Sequence, residues 1–72
     1  MDFKQLRYFC VIAQEKSITK AAEKCYIAQP SLSQSIANLE KELGVKLLDR
    51  ASRGISLTQA GEVFYRYATG VL

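Results

Sequence analysis

The sequence predicts a mainly α-helical fold, in which three helices precede a small two-stranded hairpin and a fourth helix follows it. Three stretches within the first 43 residues carry apolar residues at helical spacing. The pattern then shortens to strand-like pieces around a glycine-containing loop, and helical spacing resumes after Thr58. With 72 residues, the chain has room for one small domain.

The first two helices are predicted over residues 3–13 and from about residue 18 to Lys24. Either Ser17 or Thr19 offers the N-cap hydroxyl of the second helix. The apolar residues of the first helix recur every three or four positions and should form one inward stripe. This stripe consists of Phe3, Leu6, Phe9, Cys10 and Ala13.

The third helix has the clearest boundaries. We expect Pro30 at its first position, because proline lacks the N–H that would be unpaired there, and Gln29 as its N-cap. Gly44 should end it in a left-handed conformation. Three residues, 26–28, separate it from the second helix, and such a short turn makes two helices cross steeply, as in a helix-turn-helix. Its inward stripe is Leu32, Ile36, Leu39 and Leu43.

Residues 45–50 and 55–57 are predicted to form a hairpin around residues 51–54, and such a hairpin needs the helices to pack on. The hairpin would be a wing, so the fold class is a winged helix-turn-helix. We expect residues 1–58 to form this domain and residues 59–72 to start a linker or dimerisation helix.

Thr58 should cap the fourth helix, whose apolar stripe is too broad for so small a core. Its pattern runs to Leu72 without a polar tail, which favours a helix that continues in a longer protein. Phe64 is expected to pack on the core, and the exposed part of the stripe to pair with a second copy. The residues predicted for dimerisation are Val63, Phe64, Tyr67 and Val71.

Composition excludes several classes of function. A net charge of +3 and a pI of about 9.0 are compatible with a polyanionic partner but also with many other domains. The chain has no histidine and only two cysteines, which we expect to be inert core residues, so neither a metal site nor acid–base catalysis is predicted. No apolar run suits a membrane span, and no signal peptide is visible, so the prediction is a cytoplasmic protein that is not an enzyme.

The outward face of the third helix carries the candidate DNA-binding residues. Glutamine and asparagine side chains can bind adenine in the major groove, and serine can reach base edges or phosphates. A helix N-terminus also favours phosphate. The polar residues on this face are Ser31, Ser33, Gln34, Asn38 and Lys41. Two alternatives stay open from these residues alone: an ordinary solvent-exposed face, and a winged-helix module that binds proteins.

Ordered blocks of sequence resemble the LysR-type bacterial transcription regulators over essentially the whole chain. These are LRYF at residues 6–9, SITKAAEK at 17–24, AQPSLS at 28–33, ELGVKLLDR at 42–50 and LTQAG at 57–61. The resemblance implies sequence-specific binding to double-stranded operator DNA, with the helix-turn-helix at residues 18–37. The residues it places toward the groove are Gln29, Pro30, Ser33 and Gln34, and those it places on the DNA backbone or minor groove are Arg50 and Arg53.

The resemblance also implies a homodimer through the helix that starts at Thr58 and Gly61, and a higher oligomer in the full-length protein. No cofactor is expected, because an effector metabolite would bind a separate sensor domain absent from this chain. Two positions depart from the family. Gln34 replaces a frequent arginine, which should favour adenine over guanine there. Leu48 replaces a frequent phenylalanine, which we interpret as a core substitution.

Overall fold

The computed structural model describes residues 1–51 and 54–72, and the predicted elements follow in the predicted order. They are α1 (Phe3–Glu15), α2 (Ile18–Cys25), α3 (Gln29–Leu43), β1 (Leu48–Ala51), β2 (Gly54–Leu57) and α4 (Gln59–Val71). The two strands pair antiparallel, with Leu48 opposite Leu57 and Arg50 opposite Ile55. The winged helix-turn-helix prediction is confirmed. None of the helices in this part of the chain has the length and apolar character needed to cross a membrane.

One core lies where the first three helices meet, and the side chains it buries most completely are Phe9, Ile12, Leu32, Ile36, Leu39 and Leu47. Each contributes about 1.5–3 kcal/mol of hydrophobic stabilisation. A smaller cluster of Leu6, Cys10 and Ala68 joins α1 to α4. The core therefore holds α3 by its inner stripe and leaves its opposite face to solvent.

Local hydrogen bonds define the helix-turn-helix. Ser17, rather than Thr19, caps α2, because its Oγ accepts from the Lys20 amide at 3.1 Å. Tyr26 ends α2 in the left-handed region at φ 57°, and the next amide, that of Ile27, donates back to the Ala22 carbonyl at 3.1 Å. This closure matches the Schellman arrangement and turns the chain sharply into α3.

The predicted start of α3 is wrong by one residue. Ala28 is the N-cap and Gln29 is already helical, because the Leu32 amide donates to the Ala28 carbonyl at 3.1 Å. Pro30 therefore follows Gln29 inside the first turn, where its missing N–H again costs no intrahelical bond. Gly44 adopts the predicted left-handed C-cap at φ 75°.

The first strand is shorter than predicted and begins at Leu48 instead of residue 45. The cause is Glu40, whose Oε2 accepts from the Leu47 amide at 2.7 Å and the Leu48 amide at 3.1 Å. The Leu47 amide, bound by this carboxylate, is unavailable to a strand ladder, which starts with Leu48 opposite Leu57. This half-buried side chain instead ties the root of the wing to the third helix.

The fourth helix is fixed to the same root. Thr58 caps it as predicted: its Oγ1 accepts from the Gly61 amide at 2.9 Å and donates to the Lys46 carbonyl at 2.6 Å. Its own amide donates to the Leu47 carbonyl at 3.0 Å. Gly61 lies so close that an added Cβ would be 2.1 Å from the Leu47 oxygen. Only glycine permits this approach.

Two predicted core residues lie further out than expected. Phe3 is 69% exposed, because the first turn of α1 extends beyond the elements that cover Leu6 and Phe9. Cys10 is buried, but Cys25 is only half-buried, because it is the last residue of α2.

Candidate nucleic-acid interface

The outer face of α3 presents most of the predicted DNA-binding residues together. Gln29, Pro30, Ser31, Gln34 and Asn38 are exposed, whereas Ser33 is half-buried. The exposed positions cluster in the first three turns, opposite the buried stripe of the same helix. The structure thus brings a row of short polar and amide side chains to one accessible surface, with Ser33 at its edge.

The electrostatics of this surface suit an anion. No acidic residue lies in the first turn of α3, and no side chain caps that end. The first-turn amides that lack an intrahelical acceptor therefore point outward with the positive end of the helix dipole. Lys41 lies in the last turn, at the opposite end of the helix. An uncapped helix N-terminus such as that of α3 binds phosphate oxygens through its backbone N–H groups.

Side-chain hydrogen bonds hold α3 and order its surface. The Gln5 side chain donates to the Ser35 carbonyl at 3.3 Å and tethers α3 to α1. On the exposed face, Nε2 of Gln34 donates to Oδ1 of Asn38 at 2.9 Å, one helical turn away. Thr19 of α2 donates to Oε1 of Gln29 at 3.4 Å, so the start of α3 also contacts its helix-turn-helix partner.

The wing places Arg50 beside this face. Arg50 is exposed on β1, and it lines an open cleft between the wing and α3 together with Lys46 and Ala37. The carboxylates of this cleft are Glu40, whose Oε2 accepts the two backbone amides, and the exposed Asp49. Arg53, the second predicted wing residue, lies outside the described residues.

The ion pairs found in residues 1–51 and 54–72 do not involve the cations of this cleft. They join the Met1 amino group to Glu42 at 2.6 Å and Lys24 to Glu15 at 2.7 Å. The second pair links α1 to α2, and the hydrogen bond and charge of the Glu15 carboxylate raise the pKa of Lys24. Cations at the α3–wing cleft are therefore available to an external polyanion.

A second accessible surface is the apolar face of α4. Val63, Tyr67 and Val71 are 57%, 61% and 44% exposed. Phe64 is half-buried, with its ring centroid 5.3 Å from that of Phe9 and 6.2 Å from that of Tyr67. It therefore packs on the core, as predicted, and also borders the exposed stripe. An open apolar groove beside this face is lined by Leu43, Val45, Leu47, Ala60, Val63, Phe64 and Tyr67.

Two residues that position these surfaces were not identified from the sequence in that role. Glu40 binds the amides that begin the wing, and Gly61 lets α4 approach Leu47. A glutamate late in a helix usually faces solvent, so no local signal marks Glu40. For Gly61, glycine within a predicted helix is the signal, because it weakens a helix unless packing requires it.

Comparison with known proteins identifies the family. Residues 3–62 match the model described as bacterial regulatory helix-turn-helix protein, lysR family. The chain is 51% identical to the HTH-type transcriptional regulator BenM of Acinetobacter baylyi over 72 residues, which are all of this chain and 24% of BenM. It is 47% identical over its full length to BudR of Klebsiella aerogenes, of which it covers 50%.

Among solved structures, the chain resembles the crystal structure of a BenM_DBD/benA site 1 DNA complex. The TM-score is 0.95 at 51% identity, and the match covers 99% of this chain and 83% of that one. The chain spans a quarter to a half of the length of the two relatives named, both of which are transcriptional regulators. It belongs to the lysR family of bacterial regulatory helix-turn-helix proteins.

Proposed function

We propose that this domain recognises operator DNA by placing the N-terminal half of α3 in the major groove. The observation that carries the proposal is the exposed face of α3, which displays Gln34 and Asn38. The N-terminus of this helix has no side-chain cap, and its first turn has no acidic residue. The side-chain amide of Gln34 can read a base edge, while Ser31 and the first-turn backbone N–H groups bind phosphates. The DNA complex of BenM_DBD, at 51% identity, supports the same use of this fold.

The wing contributes affinity without reading sequence. Arg50 lies at the cleft beside α3, where a cation would neutralise a backbone phosphate. We assign Arg53 the same role from its position in the predicted wing loop.

The salt dependence of binding tests this arrangement. A preferred duplex is selected from a random pool, and its affinity for wild type and for Arg50→Ala is measured over a range of salt concentrations. Each phosphate contact adds about −0.9 to the log–log slope, so Arg50→Ala should flatten it by about one. Arg7→Ala, which removes an exposed arginine of α1, is the matched control and should leave the slope unchanged. Equal slopes for wild type and Arg50→Ala would exclude Arg50 from the interface.

We also infer that two copies pair through α4. Tyr67 and Val63 expose large apolar areas on one face, and an open apolar groove lies beside them. A symmetric pair buries this surface on both copies at once. The pairing would place two α3 helices on successive turns of the duplex, so the operator should contain two spaced, inverted half-sites.

Tyr67→Asp tests the pairing, because it places a charge in the apolar face. It should sharply reduce affinity for the complete operator while affinity for one half-site stays nearly the same. Thr69→Asp adds the same charge on the opposite side of α4 and serves as the control. If Tyr67→Asp weakened both duplexes equally, Tyr67 would serve the monomer fold and not the dimer.

In a full-length regulator, we expect DNA binding by this domain to be controlled by a small-molecule effector that binds a separate domain. Higher homo-oligomers would then form through that second domain, and operator binding would place the protein on the bacterial nucleoid. Selection of bound duplexes by the full-length protein with and without candidate metabolites would test this arrangement.

A further inference from the structure

We propose that Asn38 is a positioning residue that orients the Gln34 amide to read adenine. The proposal rests on the proposed function, because it names the base that one residue of the α3 surface selects. The observation behind it is the hydrogen bond from Gln34 Nε2 to Asn38 Oδ1, 2.9 Å long, on the exposed face of the helix. The two residues are four apart, the spacing at which helical side chains meet.

The hydrogen bond leaves the right groups of Gln34 free. Its Nε2 carries two hydrogens, and Asn38 takes one of them. In this proposal, Asn38 accepts the hydrogen on the Cγ side of Nε2, so that the other hydrogen and the Oε1 lone pairs lie side by side on the outer edge of the amide. Adenine presents N7 as an acceptor and N6 as a donor in the major groove, so this edge matches it in both positions. Guanine presents two acceptors there and would face Oε1 with O6.

Holding the amide in one orientation is what gives the preference. An unrestrained glutamine has three rotatable bonds, and its amide can also turn over and exchange donor for acceptor. Side chains of this length lose considerable rotamer entropy when they are fixed. Asn38 fixes Gln34 before DNA binds, so less of this side-chain entropy is lost on binding. The oriented amide then forms both of its hydrogen bonds only with the matching base.

The charge and exposure of the pair are consistent with this role. Both side chains are exposed, so the amide edge is accessible to a duplex. Neither carries a charge, which means that neither changes the salt dependence of binding. The readout of the pair is therefore base preference alone, measured as the affinity ratio for A·T over G·C at one operator position.

A double-mutant cycle tests the proposal on the duplex selected by the wild-type domain. Gln34→Ala identifies the contacted position as the one where the affinity ratio collapses, by about tenfold or more. Asn38→Ala should lower the ratio at the same position by about two- to tenfold, the size of coupling between contacting residues. The double variant should match Gln34→Ala, because Asn38 acts only through Gln34.

Asn38→Asp is the matched control. Aspartate keeps an acceptor oxygen for Gln34 Nε2 but has no donor, so the affinity ratio at this position should stay close to that of wild type. Its negative charge should reduce affinity for every duplex equally. Unchanged circular dichroism spectra and thermal midpoints would show that the variants are folded.

The outcomes separate the two proposals. If the wild-type domain selects no duplex sequence, both the proposed function and this inference fail. If it selects an operator but Asn38→Ala and Gln34→Ala have additive effects, or affect different base pairs, Asn38 reads a base by itself. In that case, the orienting role is wrong and the proposed function stands.

Discussion

Replacing Gly61 by alanine should destabilise the domain strongly, although glycine is normally the poorer residue in a helix. The added Cβ would lie 2.1 Å from the carbonyl oxygen of Leu47, whereas real contacts of this kind stay beyond 3.0 Å. Relief requires α4 and the Leu47 backbone to separate by about 0.9 Å. That oxygen also accepts from the Thr58 amide at 3.0 Å, so separation weakens a hydrogen bond at the same joint.

The loss of stability expected for Gly61→Ala is the sum of two unfavourable contributions and one favourable one. Overpacking against an atom that cannot rotate away costs about 1–3 kcal/mol, with the upper end expected for backbone. Weakening one hydrogen bond adds about 1 kcal/mol, and the higher helix propensity of alanine returns about 1 kcal/mol. We therefore expect a loss of about 2–3 kcal/mol, or a thermal midpoint lower by roughly 10–20 °C in a domain of this size.

Urea and thermal unfolding monitored by circular dichroism at 222 nm would measure this loss. Gly70→Ala is the internal control, because Gly70 lies in the same helix and a Cβ there meets nothing within 4 Å. It should gain up to about 1 kcal/mol from helix propensity. A Gly61→Ala domain as stable as wild type, or changes of the same sign in both variants, would refute the close approach of α4 to Leu47.

Three further predictions concern single side chains. Glu40→Ala leaves the amides of Leu47 and Leu48 without their acceptor. It should therefore lower the free energy of unfolding, measured by urea titration, by about 2 kcal/mol or more. Glu40→Gln, which retains an acceptor oxygen, should lower the free energy of unfolding by less. Tyr26→Asn should raise the thermal midpoint slightly, because Tyr26 is left-handed and 94% exposed and asparagine tolerates that conformation better; a lower midpoint would contradict this. Burial raises the pKa of the Cys10 thiol, so iodoacetamide should label Cys10 far more slowly in the folded domain than in urea. The Cys10 thiol ionises at a lower pH in the unfolded chain than in the folded domain. The contribution of Cys10 to the free energy of unfolding should therefore fall as the pH rises above about 8.5, and Cys10→Ala should remove that pH dependence.

Much of the fold could be predicted from the sequence, because its signals act over a few residues. Gly44 and Thr58 end and begin helices through backbone conformation and capping hydrogen bonds that involve near neighbours. The buried stripe of α3 follows from helical spacing alone. The family follows from ordered blocks of sequence, and residues 3–62 match its model. Even the Gln34–Asn38 bond is a local, four-residue relation that the spacing contains.

The limits of these local signals appear at element ends. The start of α3 moved by one residue, because both Gln29 and Ala28 can precede a proline-containing first turn, and the hydrogen bond accepted by Ala28 decides between them. Phe3 fits the apolar spacing of α1 but is exposed. Spacing states which side of a helix faces inward, and not how far along the helix the core extends.

The sequence by itself determined the order of the helices, the caps at Gly44 and Thr58, the short turn and the family to which the chain belongs. Only the tertiary structure decided that Glu40 holds the wing and that Gly61 allows α4 to reach Leu47. It also decided how much of Tyr67 and Val63 remains exposed on α4. The physical reason is distance along the chain: capping and helical spacing depend on neighbours within four residues, whereas these contacts arise only after Gly44 reverses the chain and packing brings separate elements together.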